Sequence, residues 1–143
     1  MLQPIVWKSV AAATAFRISP SDTNYFILLF DPAGEGIQSV VVVEVFCVGG
    51  RTPPNSHAHA YEFFYVLQGE GRAVCGERST SLRRGDALLV RPGTEHVIEN
   101  TGPGKLYTLT VMTPNEGFAE LIRKGMAVAL DDEDRAALTA ANA

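Results

Sequence analysis

The chain has 143 residues, 46% of them apolar and 20% charged, which suits one domain with a sizeable core. That composition excludes a disordered chain, a collagen-like repeat and a mini-protein dependent on disulfides. A formal charge of -4 and the lack of any Lys/Arg cluster point away from nucleic acid and from anionic membranes as partners.

Residues 1–24 read as an arm. Residues 10–15 have the small side chains of a signal-peptide region, but no basic segment precedes a long apolar stretch, so a cytoplasmic location is expected. The longest strongly apolar run, residues 40–48, is interrupted by Glu44 and is far shorter than the roughly 20 residues of a spanning helix. From residue 25 to about 112 the chain reads as β throughout. Strands are predicted over residues 25–30, 40–46, 62–67, 72–75, 79–82, 87–90, 96–99 and 105–112. They are rich in β-branched and aromatic residues and are separated by Gly- and Pro-bearing turns, a pattern that predicts an all-β sandwich or barrel.

The tail changes period. Thr113, Pro114 and Glu116 predict a helix start, Phe118, Leu121 and Ile122 give its apolar stripe, and Gly125 its end. Asp131 is the expected N-cap of a second short helix from Asp132 to about Ala141. The acidic run at residues 131–134 reads as charge complementing that helix N-terminus, with a cation site as the alternative. Cys47 and Cys75 have no close spacing and read as free thiols of a reducing compartment, a disulfide or redox pair being the alternative.

Three histidines are present: His57, His59 and His96. Placed at i and i+2 on a strand edge, His57 and His59 would point to one face. Glu62 follows closely, and a bend at Ala60 and Tyr61 would be needed to bring it to that face. With His96, after the turn at Pro92 and Gly93, these groups suit a first-row divalent metal.

These residues resemble the two motifs of the cupin family. The first motif is Gly, five residues, His-x-His, a gap of three or four, Glu, six residues, Gly; here Gly50, His57, His59, Glu62 and Gly69 fill it. Six residues separate Gly50 from His57, and two separate His59 from Glu62. Gly85, Gly93, His96 and Asn100 fill the second motif, with Arg91 where the motif has Pro. The resemblance covers about residues 38–112 and implies that the β barrel, over about residues 25–112 of a single 143-residue domain, is a jelly roll; the tail pattern adds a short C-terminal helical appendage over about residues 113–142. It implies one divalent transition metal per chain (Fe, Mn, Ni, Zn, Co or Cu) held by His57, His59, Glu62 and His96.

Strand parity places Phe64, Val66, Ile98, Tyr107 and Leu109 on the pocket wall, with Arg91 near the barrel mouth. A mostly apolar cavity around a polar metal centre suits a small organic ligand. The expected function is a metal-dependent enzyme, foremost an Fe(II)-type oxygenase. The same donors suit a metal-dependent isomerase, decarboxylase or lyase, and a non-catalytic binding or sensor protein is the third reading. A homodimer is expected, with the N-terminal segment around Trp7 available to pack on a partner.

Overall fold

The computed structural model describes residues 2–140. Strands β1 (Ala15–Arg17), β2 (Asn24–Phe30) and β3 (Val40–Phe46) come first, with helix α1 (Pro32–Glu35) between the last two. Strands β4 (Tyr61–Gln68), β5 (Glu70–Cys75), β6 (Arg78–Arg83), β7 (Ala87–Val90), β8 (Val97–Asn100) and β9 (Leu106–Thr113) follow. Helix α2 (Phe118–Arg123), strand β10 (Met126–Val128) and helix α3 (Asp132–Leu138) complete the chain. A seven-stranded sheet in the order β10-β1-β2-β3-β9-β4-β7 faces a three-stranded sheet in the order β6-β5-β8. Its pairings are antiparallel, and the fold is the cupin-type jelly roll.

Side-chain alternation decides which residues fill the space between the sheets. On β4, Glu62, Phe64 and Val66 are buried while Tyr61, Phe63 and Tyr65 face outward. The register sets Glu62 opposite Met112, Phe64 opposite Thr110 and Val66 opposite Thr108, and on β3 it sets Glu44 opposite Thr108. These residues therefore share the inner face. Phe46, Phe64, Val66, Leu82, Ile98 and Leu106 close one end of the barrel as an apolar cluster. Gly69 has φ +98°, and a Cβ there would lie 2.6 Å from the Lys105 carbonyl oxygen, so this turn requires glycine.

The outer face of β2, β3 and β9 is also covered. Tyr25, Ile27, Val43, Val45 and Tyr107 form a second cluster against Leu130, Ala137 and Leu138 from the α3 region. Burial on both faces removes the alternation that reveals which side of a strand looks inward. Tyr107 and Leu109 accordingly lie on the outer face, and Thr108 and Thr110 replace them on the inner one. This corrects the parity read from the sequence.

The arm and tail also differ from the expected layout. Residues 15–17 and 126–128 pair as strands β1 and β10 and extend the sheet beyond β2. The first tail helix starts at Phe118, not near Thr113, because Gly117 adopts φ +81° and Glu116 φ +53°, which no helix can continue. Gly125 lies where a side chain would collide with the Arg17 carbonyl, so it serves close packing of the tail on β1. Asp131 caps α3, and a reciprocal capping box with Asp134 completes that helix start.

Candidate metal centre

Three structural devices bring the polar groups together. Glu62 stands on the inner face at the start of β4. His96 immediately precedes β8, and its backbone pairs with that of Asn55, the amides donating over 2.9 and 3.2 Å. His57 lies in the irregular segment before β4, where its carbonyl oxygen accepts from the Gly93 amide at 2.7 Å. The loops carrying the two histidines are thus tied to one another by backbone hydrogen bonds.

One ligand atom from each of His57, Glu62 and His96 lies within 4.8 Å of the others. Glu62 Oε1 is 2.9 Å from His96 Nε2 and 3.3 Å from His57 Nε2. The His96 Nδ1 position is 2.9 Å from the Thr94 carbonyl, which can only accept, so Nδ1 carries the proton. In the neutral ring this leaves the Nε2 lone pair aimed at the cluster. His57 Nε2 is buried and lacks a hydrogen-bond partner among the described residues. An orphaned imidazole nitrogen beside a second one and a carboxylate fits a metal ion, because metal–ligand bonds of about 2.1 Å place neighbouring donors roughly 3 Å apart.

The charges are coupled. Burial alone would raise the Glu62 carboxyl, but the His57 and His96 imidazoles, 3.3 and 2.9 Å away, hold it below the ordinary carboxylate range. Burial opposes protonation of His96, whereas Glu62 and the Thr94 carbonyl raise its affinity for a proton. Glu44, absent from the sequence-predicted site, is a second buried carboxyl on the same cavity. Burial, then the charge of Glu62, push it up to about 8, against hydrogen bonds from Asn24 Nδ2 at 2.9 Å and Thr110 Oγ1 at 3.4 Å. The only sequence signal for it was a charge interrupting a run of valines.

The structure brings His57, Glu62 and His96 together but leaves His59 outside. Residues 57–60 are irregular, with a bend at Ala58 and His59, so the i, i+2 rule of a strand does not apply to them. The His59 side chain is exposed, and its backbone amide donates to Glu116 Oε1 at 2.8 Å. Moving the His-x-His pair by two residues and the first glycine by one accounts for this. Gly49, five residues, Asn55, one residue, His57, four residues, Glu62, six residues and Gly69 satisfy every spacing of the first cupin motif. His57 then occupies the second histidine position and Asn55 the first. The two spacing departures in the other register were the signal available in the sequence.

The cavity has a volume of about 380 Å³. Phe64 lines it with Phe26, Met112 and Phe118, and the His57 ring stands edge-on to Phe118 at 6.2 Å between centroids. The other expected lining residues lie elsewhere. Val66 and Ile98 belong to the closed apolar end, Tyr107 and Leu109 to the outer face, and Arg91 borders a separate cleft with Cys75 and Thr94. The tail supplies Glu116, Gly117, Phe118 and Leu121 to the cavity rim, a contribution without a local sequence signature.

The cupin-domain family matches residues 42–112. A curated relative, an uncharacterized protein of Methanocaldococcus jannaschii, is 28% identical over 80 residues, or 56% of this chain. The match spans 64% of that relative's length. Among solved structures, a predicted oxalate decarboxylase from Thermotoga maritima has a TM-score of 0.66 at 24% identity, covering 76% of this chain and 97% of that one. The cupin domain of Cnp3 from Schizosaccharomyces pombe has a TM-score of 0.65 at 18% identity, covering 82% of this chain and 81% of that one. At these identities the structural likeness speaks for the fold.

Proposed function

The chain is a member of the cupin family, and from that premise we propose that it is an enzyme using one divalent transition metal on a small organic molecule. The observation that carries this is the convergence of His57 Nε2, Glu62 and His96 Nε2 at the wall of a largely apolar cavity, with the first of these atoms buried and unpartnered. These three residues would hold the metal.

Two imidazoles and one carboxylate are the donor set of non-haem Fe(II) oxygenases, which makes an Fe(II)-type oxygenase the favoured chemistry. A metal held by His57, Glu62 and His96 would supply Lewis-acid polarisation and open coordination positions. The chain's own contributions are separate. The Thr94 carbonyl fixes the His96 tautomer, Glu62 offsets the metal charge, and Phe26, Phe64 and Phe118 keep water from much of the cavity. Mn, Ni, Zn, Co and Cu suit the same donors.

The test is elemental analysis of protein reconstituted with Fe(II), Mn(II) or Zn(II), followed by oxygen uptake with small diketones, catechols and thiols. One metal per chain, lost in His57→Ala and His96→Ala, is the expected result; full metal content in both variants refutes the assignment. Fe(II)-dependent oxygen uptake supports the oxygenase. Turnover without oxygen moves the reading to an isomerase, decarboxylase or lyase, and binding without turnover to a sensor.

Two further properties belong to this proposal. The outward Tyr61, Phe63, Tyr65 and Leu89 are each 40–47% exposed on neighbouring strands, which supports a homodimer formed through the β4–β7 face. Free thiols at Cys47 and Cys75 support a reducing, cytoplasmic location.

A further inference from the structure

The charge of the cavity wall carries information about the ligand. Asp22, Glu44, Glu62 and Glu116 line it, and among the described residues no Lys or Arg does. Asp22 and Glu116 accept backbone amides from Ser19 and His59, but among the described residues neither is paired with a Lys or Arg. A divalent cation would be offset by Glu62 and by these two carboxylates before any ligand arrived. Carboxylate ligands are ordinarily received by an arginine fork or a lysine. An oxalate-like dianion would instead bring two more negative charges into a half-enclosed apolar space, where charge is poorly solvated.

The hydrogen-bonding capacity points the same way. Asn24 spends its Nδ2 on Glu44 Oε2, and its Oδ1 is buried without a partner. Asn55, also on the lining, spends its Nδ2 on the Pro53 and His96 carbonyls. The polar floor is therefore richer in acceptors than in free donors. Above it stand the rings of Phe26, Phe64 and Phe118.

We infer that this cavity selects a neutral or cationic ligand with an aromatic or aliphatic body and an O–H or N–H donor, and discriminates against dicarboxylates. The inference rests on the metal-cavity reading above and names the substrate class for that same site. It separates this chain from the oxalate named for its structural neighbour in Thermotoga maritima, with which it shares a fold.

The experiment is calorimetric titration of the full chain loaded with Zn(II), which is redox-silent, using catechol as the neutral probe and oxalate as the dianion at pH 7. Zinc content is measured on the same sample. Catechol is expected to bind at least about tenfold more tightly than oxalate. Equal or tighter oxalate binding, or binding of neither probe, overturns the inference. Leu121→Lys places a cation at the cavity rim on a half-exposed position. It is expected to raise oxalate affinity at least about fivefold with an unchanged melting temperature. Unchanged oxalate binding in that variant overturns the charge explanation. If the chain retains no zinc, the metal reading fails on its own. The probes are then compared on metal-free protein, where preference for catechol supports the inference and preference for oxalate refutes it.

Discussion

At Glu62 a single carboxylate oxygen faces two imidazole nitrogens, while His59, two positions from His57, faces solvent. Metal affinity should follow that division. His96→Ala is expected to lower affinity by more than about 100-fold in competition with a chelating dye, and His59→Ala to leave it within about twofold. The register of the first motif adds a gain of function. Asn55→His puts an imidazole where the motif has its first histidine, and affinity should rise about tenfold or more; no change would refute that register. Asn100 has a different task. Its Nδ2 reaches the carbonyls of Phe46, Cys47 and Gly104 at 2.9–3.1 Å, and its Oδ1 accepts from the Gly102 amide. Asn100→Ala leaves buried carbonyls unpaired and should cost about 2–3 kcal/mol in urea unfolding, without altering metal stoichiometry.

Short helices depend on charged anchors because they have too few turns to be stable alone. Asp31 caps α1 through the Gly34 amide and receives two hydrogen bonds at 2.8 Å from Arg123 at the end of α2. Arg123 foremost, with the Gly34 amide, holds the Asp31 carboxyl below its ordinary 3.8 despite burial. A carboxyl depressed in the folded state stabilises the fold fully above its unfolded value and loses that contribution as pH falls through the folded one. Asp31→Asn should therefore cost about 1–3 kcal/mol at pH 7. Thermal unfolding followed from pH 7 to 3 should show the gap from the parent chain closing below about pH 4. Helix α3 is anchored by buried Asp134, which accepts from the Tyr25 hydroxyl at 2.7 Å, the Tyr107 hydroxyl at 2.8 Å and Lys105 Nζ at 3.1 Å. Asp134→Ala strands the Tyr25 and Tyr107 hydroxyls and leaves Lys105 to Asp131 and Tyr25, and a loss of about 3–5 kcal/mol is expected in denaturant titration.

Across the whole molecule, the two sheets leave one open mouth, roofed by the tail, and one closed apolar end. Placing the polar groups at the mouth lets the fold keep a dry core while holding Glu44 and Glu62 inside it. Among the described residues, the outer face of β4 and β7 has no such cover. A dimer through it would need to bury roughly 1,200–2,000 Å² in total. Light scattering should give twice the chain mass for the parent protein and the monomer mass for Phe63→Glu/Tyr65→Lys. A monomeric parent chain would refute the proposed dimer.

The amino-acid sequence alone determined eight of the strands, β2 to β9, and most of their limits, because β-branched runs between Gly and Pro turns leave few other local choices. It also determined Glu62 and His96 as neighbours in space, since their motifs stand at the separation that the jelly roll brings together. Which side of β9 faces inward was decided only by tertiary structure: α3 covers the other face, so Tyr107 and Thr108 are equally buried and the period of two is lost. The exclusion of His59 was likewise tertiary, fixed by a bend that Glu116 holds from 56 and 57 residues away. Long-range contacts of that kind leave no pattern along the chain, because the residues that make them are chosen by where the barrel places them.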